Sequence, residues 1–502
     1  MTDTSPTRRA VWMGLGALTA AQVGIGLWRV AVMLEEALAV GPQPIGWSWA
    51  VGSELLTSGL LAACAWWWLP RRGRGSGERS AGAWAIRFLL MAWIVVLFHY
   101  GWALASGTGA LDHRVTWVAL GICFALGAWV RRGGTVAPSA AVPATSSTLA
   151  HPGIWLALWF YAAQAVHLVF PYQWTDSRTM WACRAFKFVT RGGLGGVNDC
   201  LDPGRPPLHS ILLWLGIDDP TFQGRLLPFL MMGAFGLVVY HVLRRVAPRL
   251  APWGVLWFFA TDTLFRDAVT SYAGAPEMIA IGVAIILATD DGTLGNRWFS
   301  FAGCLVAGLA IALIKRDGLP EFVVALGALA VVGRREDRRD PRLWAPLVGI
   351  AAGYLSWTGW IRSMHVATRF VPTLAGAGVS EPPLRVVGRL LFGVQGQVFS
   401  HYGWGAFAWA WIAVAGWAAV RGGKPEGAAQ ELARRYGWFG LAGWLATLGI
   451  YAALSFLGHP EMSSLFGIRT GFGRHLLHFF PFCLFHATAA ADRCVQLSAA
   501  SD

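Results

Sequence analysis

Charged residues are scarce in this chain of 502 residues: they make up 13% of it, against 55% hydrophobic residues. A soluble domain normally carries roughly a quarter charged residues. The shortage excludes an ordinary soluble protein and indicates long apolar segments. Runs such as residues 11–33 and 47–69 are long enough to cross about 30 Å of hydrocarbon as helices. Because a chain in lipid must satisfy its own backbone hydrogen bonds, these runs predict an all-α polytopic membrane protein.

Acidic residues are also few, with 27 Asp and Glu against 40 Lys and Arg, which gives a net charge of +13. A nucleic-acid-binding face would gather this charge on one surface. Instead, it falls in short clusters at the ends of apolar runs, as the positive-inside rule gives for cytoplasmic loops. We therefore predict a lipid bilayer, and no nucleic acid, as partner. The clusters are Arg71, Arg72, Arg74 and Arg79; Arg131 and Arg132; Arg244 and Arg245; Arg334, Arg335, Arg338 and Arg339; and Arg434 and Arg435.

About fourteen apolar runs are long enough to be candidate spans. With the N-terminus inside, every arginine cluster also lies inside, so both termini are predicted to be cytoplasmic. Composition rich in Ala, Gly, Arg and Trp is typical of a GC-rich bacterial genome, which places the chain in a plasma (inner) membrane. The runs are 11–33, 47–69, 84–106, 115–130, 153–171, 222–244, 250–266, 272–289, 297–314, 318–333, 343–361, 404–420, 437–456 and 474–490.

Residues 132–152 are rich in Gly, Pro, Ser and Ala and predict a flexible cytoplasmic linker. The linker separates a four-helix unit, residues 1–131, from a membrane core, residues 153–490. The first unit has almost no charge within its runs, so no chemistry is assigned to it. The many glycines in apolar runs predict close packing of helices.

Cysteine is scarce too, with seven residues, five of them in or beside apolar runs where Cys behaves as a small hydrophobe. Cys183 and Cys200 share one polar loop. They form a disulfide if that loop faces an oxidising compartment, and are two free thiols otherwise. His475 and His478 are spaced to share a helix face, but hydrogen-bonded histidines are favoured over a metal site. No glycine-rich phosphate loop follows a strand pattern, so nucleotide-driven chemistry is not indicated.

Three long segments on the predicted outer side are not apolar: residues 172–206, 362–403 and 457–473. Within residues 176–190, apolar and basic residues recur at helical spacing, which predicts an amphipathic helix on the membrane surface. Residues 381–400 have a similar pattern. Both helices are expected to cover something at the membrane boundary.

A series of short motifs occurs in order on the predicted outer side: Asp176 in the first outer loop; Pro206, Pro207 and Leu208; Arg225 and Leu226; Lys315 with Gly318; and, near the end of the chain, Arg474. Together these motifs resemble the GT-C superfamily of membrane glycosyltransferases. The likeness is to the branch of protein O-mannosyltransferases and lipid A aminoarabinose transferases, and it covers about residues 153–490. Ser177 stands where that branch commonly has a Glu after its Asp, and His475 where it has a Tyr.

The resemblance implies a GT-C-like core that transfers a sugar from a polyprenyl-phosphate donor to an acceptor lipid, glycan or protein on the non-cytoplasmic side. It implies that Asp176 is the general base. Arg225, Lys315 and Arg474 would bind the donor phosphate. The plainer interpretation of Asp176 is a helix cap, and that of the cations is anchoring of helix ends.

Asp267 and Glu277 are further candidate active-site acids, since carboxylates near membrane helix ends are commonly functional. The alternative is that they pair with nearby arginines. No cofactor is implied with certainty. Some members of the branch hold a divalent metal near the loop Asp, but Ser177 in place of Glu makes one less favoured here.

Two other functions stay open. A secondary transporter or lipid flippase would need charges in mid-membrane between broken helices, whereas the charges here lie at the ends of runs. A non-catalytic scaffold with a GT-C-like core is consistent with Ser177.

Overall fold

The apolar runs are helical in the computed structural model, and all fourteen overlap a helix. Among the described residues there is no strand, and only Ala110 and Gly193 form an isolated bridge. The prediction of an all-α protein is therefore confirmed. The structure describes residues 6–40, 49–69, 77–107, 109–133, 151–168, 181–194, 200, 205–215, 225–269, 273–290, 296–315, 318–333, 338–364, 382–396, 404, 406–421, 427–456 and 472–500.

The helices alternate with short connections along the described chain, and a 3-10 turn, Gln164–Leu168, extends α5. Residues 472–477 form a further short helix before the last one. The helices are α1 (Pro6–Val40), α2 (Trp49–Trp67), α3 (Gly77–Ala105), α4 (Arg114–Gly133), α5 (Pro152–Ala163), α6 (Cys183–Arg191), α7 (Leu208–Trp214), α8 (Leu226–Val246), α9 (Ala251–Ala260), α10 (Asp262–Val269), α11 (Gly274–Ala288), α12 (Arg297–Ile314), α13 (Leu319–Val332), α14 (Pro341–Ser363), α15 (Pro383–Val394), α16 (Ala406–Arg421), α17 (Ala428–Phe456) and α18 (Phe480–Ala500).

Several helices are suited to a membrane. Five of those described are long and apolar enough to cross it, and shorter apolar helices such as Gly274–Ala288 and Leu319–Val332 lie among them. These features indicate an integral membrane protein; the number of fourteen spans stays a prediction. The five are Trp12–Glu36, Ala81–Ala105, Leu226–Val246, Arg297–Ile314 and Ala428–Phe456.

One end of the bundle, which we call the arginine-rich end, is held by ion pairs between helix termini. Arg245 at the end of α8 lies 3.9 Å from Asp290 after α11. Arg342 donates to the Asp290 carbonyl at 2.7 Å and pairs with Asp340, which also accepts from Arg297. Of the predicted arginine clusters, Arg245 lies at this end, and the opposite ends of α8, α11, α12 and α13 lie at the other end of the bundle.

Glycine brings two of these helices close together. At Gly308 of α12 an added Cβ would overlap the Pro346 backbone of α14, and at Gly349 it would overlap the Leu305 carbonyl. The interface has no space for side chains at these positions. Glycine thus serves helix packing at these two positions, whereas other glycines of the apolar helices, such as Gly24 and Gly327, have open space beside them.

The predicted seventh run, 250–266, is not one continuous helix. It breaks at Thr261, whose backbone is extended (ψ 122°) between α9 and α10. Gln22 of α1 donates to the Ala260 carbonyl at 3.2 Å and accepts from the Ala406 N–H at 3.2 Å. This buried amide satisfies one backbone carbonyl beside the break and one N–H at the start of α16, so a helix of the N-terminal unit contacts both core elements.

The N-terminal unit also carries buried charge, contrary to the sequence expectation. Arg29, Glu54 and Arg87 are all buried in α1, α2 and α3. Glu54 accepts the Leu227 N–H at 2.9 Å, which caps the start of α8. The first four helices therefore contact the later ones at polar as well as apolar positions.

Candidate functional site

A group of charged side chains converges at the end of the bundle opposite the arginine-rich end. They lie at or near the termini of five elements, because the apolar middle of each helix leaves its polar residues to the ends. We call this group the charged cluster. Its members are Asp267 on α10, Glu277 on α11, Lys315 after α12, Glu321 on α13, and Arg474, His475 and His478 before α18.

Two histidine–carboxylate pairs form one side of the cluster. His475 Nδ1 lies 2.8 Å from Glu321 Oε1, and His478 Nε2 lies 3.1 Å from Glu277 Oε2. Glu277, Glu321 and His478 are fully buried, and the two imidazole rings are 5.7 Å apart. Since a buried carboxylate needs a partner, each histidine stabilises one acid that would otherwise be alone.

The other side of the cluster combines Asp267 with two cations. Asp267 lies in the interval between the predicted spans 250–266 and 272–289 and is 2% exposed. Burial raises the pKa of its carboxyl, opposed by the charges of Arg474 and Lys315. Lys315 follows the last turn of α12, where the helix dipole favours a positive charge. The arrangement places two cations around one buried anion.

Glycines make room for these acids. A Cβ added at Gly318 would lie 2.6 Å from Glu277 Oε1 and 2.8 Å from His478 Nδ1. A Cβ added at Gly274 would lie 2.6 Å from Asp267 Oδ2. A Cβ at either position would displace the end of the acidic side chain, and at Gly318 also the His478 ring, so glycine lets these side chains lie where they do.

Asp267 borders a cavity of about 20 Å³ that is also lined by Gln164, His209 and Pro228. A space of roughly 10–15 Å³ is enough for one water, so the cavity suits about one water in this conformation. Arg225 is buried at the start of α8, three residues before Pro228. The cavity thus links Asp267 to the elements that carry the Pro206–Leu208 and Arg225 motifs.

The predicted surface helix at 176–190 corresponds in part to α6. Cys183 and Cys200 form a disulfide with Cα atoms 6.0 Å apart, which decides between the two alternatives left by the sequence. Buried Arg184 donates to the Arg205 carbonyl at 2.6 Å and to that of Pro206 at 3.3 Å. These links fasten α6 to the start of α7.

Sequence reasoning identified part of the cluster. Asp267, Glu277, Lys315 and Arg474 were singled out, and the structure brings them together. Asp176 and Ser177 lie outside the described residues. Glu321 was missed, although a lone acid in the first turn of an apolar run is a usable signal. Among the described residues no group of three or more His, Cys, Asp or Glu is arranged to hold a metal ion.

The second predicted surface helix, at 381–400, corresponds to α15. Val386 and Leu390 are buried against the protein, whereas Leu384 and Leu391 are exposed. Apolar residues on both faces suit a helix in contact with protein on one side and lipid on the other.

Searches against protein families, characterised proteins and solved structures find nothing that matches this chain. The fold and cluster by themselves define an all-α integral membrane protein with a buried, densely charged site at one end.

Proposed function

We propose that this protein is a membrane glycosyltransferase of the GT-C type that takes a sugar from a polyprenyl-phosphate donor. The acceptor is a lipid, glycan or protein at the non-cytoplasmic face. The observation that carries the proposal is the convergence of Lys315 and Arg474 on Asp267 in the charged cluster. Both cations stand at positions where the resemblance puts phosphate-binding residues.

The cations are suited to a lipid phosphate because the cluster is buried. In a site of low dielectric constant a cation–anion contact is much stronger than in water. Asp267 supplies the negative charge that holds Lys315 and Arg474 in place without a donor. A donor phosphate would take over that position and leave Asp267 to bind a proton or move aside.

The reaction needs one base. The bond between the anomeric carbon and the phosphate oxygen breaks, and the acceptor oxygen forms a bond to that carbon. The acceptor proton passes to a carboxylate, for which Asp176 is proposed. The released phosphate keeps the electron pair and is stabilised by the two cations.

Mass spectrometry of lipids that co-purify with the wild type and with Asp176→Ala tests this proposal. The expected result is a polyprenyl phosphate with the wild type, and enrichment of its glycosylated form with the variant, because blocked transfer leaves the donor bound. The mass of the sugar identifies the donor. Absence of a prenyl lipid from both proteins, in detergent and in nanodiscs alike, would overturn the proposal.

A transporter or lipid flippase is the second candidate, favoured by the break at Thr261 and by the buried Glu277–His478 and Glu321–His475 pairs. Broken helices and proton-exchanging acids are typical of transport sites. Asp176→Ala separates the candidates: a transporter or a non-catalytic scaffold tolerates it, whereas the transferase loses transfer.

A further inference from the structure

A pocket of about 380 Å³ lies between α1, α9, α16 and α18. Its walls are apolar and include Leu15, Trp253, Val414 and Leu484. The volume falls in the usual range for small-molecule sites. Because α9 starts at the arginine-rich end and α18 runs toward it, the pocket lies in that half of the bundle.

Both threonine hydroxyls in the wall have hydrogen-bond partners within the protein. Thr19 Oγ1 accepts from Trp257 Nε1 at 3.0 Å, and Thr488 Oγ1 donates to the Leu484 carbonyl at 2.7 Å. Water is poorly stabilised in an apolar space that offers it no hydrogen bonds. A hydrocarbon chain is therefore the kind of ligand that suits this pocket.

The pocket is separated from the charged cluster by aromatic rings. Along α18, Phe480 lies between His478 and the pocket residue Leu484. Phe480 stacks on Phe258 at 5.9 Å and contacts Phe407 at 4.8 Å. An occupant of the pocket therefore enters from the bilayer, past the half-exposed Trp12 and Leu156 at its edge, and not through the cluster.

Arginines follow the pocket toward the arginine-rich end. Arg9 precedes Trp12 by less than one turn and shares the α1 face of Gly16, and Arg249 is adjacent to Leu250. Arg249 also acts electrostatically on Asp492. Basic side chains at this depth attract anionic lipid headgroups.

We propose that this pocket binds an anionic phospholipid of the bilayer, with an acyl chain between α1, α9, α16 and α18 and its phosphate near Arg9 and Arg249. The lipid is neither donor nor acceptor in the proposed transfer. It joins α1 of the N-terminal unit to helices of the core.

Native mass spectrometry tests this site on the full chain in nanodiscs of equal parts phosphatidylcholine and phosphatidylglycerol, and needs no transferase activity. Gly16 lines the pocket, and an added Cβ meets nothing within 4 Å there. Gly16→Phe fills the space and is expected to reduce retained phosphatidylglycerol about tenfold, equivalent to about 1.4 kcal/mol. Gly14→Phe, at an equally open position of α1 that does not line the pocket, retains it as the wild type does.

Ala20→Leu, one turn from Gly16 on the same face, repeats the test should Gly16→Phe fail to fold. The combined Arg9→Gln and Arg249→Gln variant keeps a bound lipid but loses the preference for phosphatidylglycerol, whereas Arg191→Gln, at an exposed position of α6, preserves it. Equal retention by the wild type, Gly16→Phe and Ala20→Leu, or no preference in the wild type, would overturn the proposal.

Discussion

At the scale of single residues, the charged cluster depends on two glycines, which have no side chain to fill the space beside it. Glycine at 318 leaves the space that Glu277 and His478 occupy, and glycine at 274 does the same for Asp267. Such positions look like turn residues in the sequence. Their role becomes apparent only in the structure, where acidic and histidine side chains pack over them.

Gly318→Ala is expected to destabilise the protein by about 1–3 kcal/mol, the usual cost of forcing an extra carbon into a packed site. The Cβ would displace Glu277 and His478 and break their contact. Thermal unfolding of the purified protein in detergent measures the effect. Gly327→Ala, an open position on the same helix, serves as control and should leave the unfolding temperature unchanged or slightly raised. Equal behaviour of the two variants would contradict this account of the cluster.

Gln22 also has a structural role, because it forms hydrogen bonds with residues that are far from it in the sequence. Gln22→Leu removes the hydrogen bonds to the Ala260 carbonyl and the Ala406 N–H. Leaving buried backbone groups unsatisfied costs about 1–3 kcal/mol, so we expect a lower unfolding temperature and faster hydrogen exchange around Thr261. Ala17→Leu, an exposed position of α1, is the matched control. Unchanged exchange in Gln22→Leu would show that the break needs no support from α1.

At the scale of elements, α6 and α7 form one unit above the bundle end that holds the cluster. The Cys183–Cys200 disulfide and the two hydrogen bonds of Arg184 both act on this unit. The α6–α7 unit also reaches the loop after α3, because the Leu111 N–H donates to the Gly192 carbonyl at 3.0 Å. The N-terminal unit and the core therefore share this covering layer.

The combined Cys183→Ser and Cys200→Ser variant should lose about 3 kcal/mol of stability, the chain-entropy value for a loop of about 15 residues. Limited proteolysis should cut between α6 and α7 sooner than in the wild type. Cys494→Ser, a free cysteine on α18, is the control and should behave as the wild type. Identical proteolysis of all three proteins would mean that Arg184 alone holds the unit.

Part of this organisation was predictable from the sequence. Apolar runs of sufficient length give helices regardless of tertiary contacts, and this is why all fourteen overlap one. The break at Thr261 was not predicted, since its hydrogen-bond partner Gln22 lies 239 positions away in the sequence. Lys315 and Arg474 were found through motif order. The pairing of Glu321 with His475, by contrast, becomes apparent only in the fold.

At the scale of the whole molecule, the two ends differ in the kind of charge they carry. The arginine-rich end has ion pairs between neighbouring helix termini, whereas the other end buries three carboxylates with two histidines and two cations. This asymmetry fits the predicted orientation, with the arginine-rich end in the cytoplasm.

Cysteine labelling tests that orientation. Arg191→Cys on α6 should react with a membrane-impermeant maleimide in intact cells, and Arg338→Cys at the arginine-rich end only after the cells are permeabilised. Both positions are exposed, and the parent protein gives the background from its own free cysteines. Labelling of both variants from the same side would contradict the predicted topology.

The central claim is that the charged cluster binds a lipid phosphate. Its most direct test is the affinity of a synthetic polyprenyl phosphate for the wild type, Lys315→Ala and Arg474→Ala in nanodiscs, with Arg191→Ala as a control that removes an exposed arginine at the same end. Losing one cation from a buried phosphate site should weaken binding at least about tenfold, equivalent to about 1.4 kcal/mol, and Arg191→Ala should have no effect. Equal affinity of all four proteins, or no binding to the wild type, would contradict the claim.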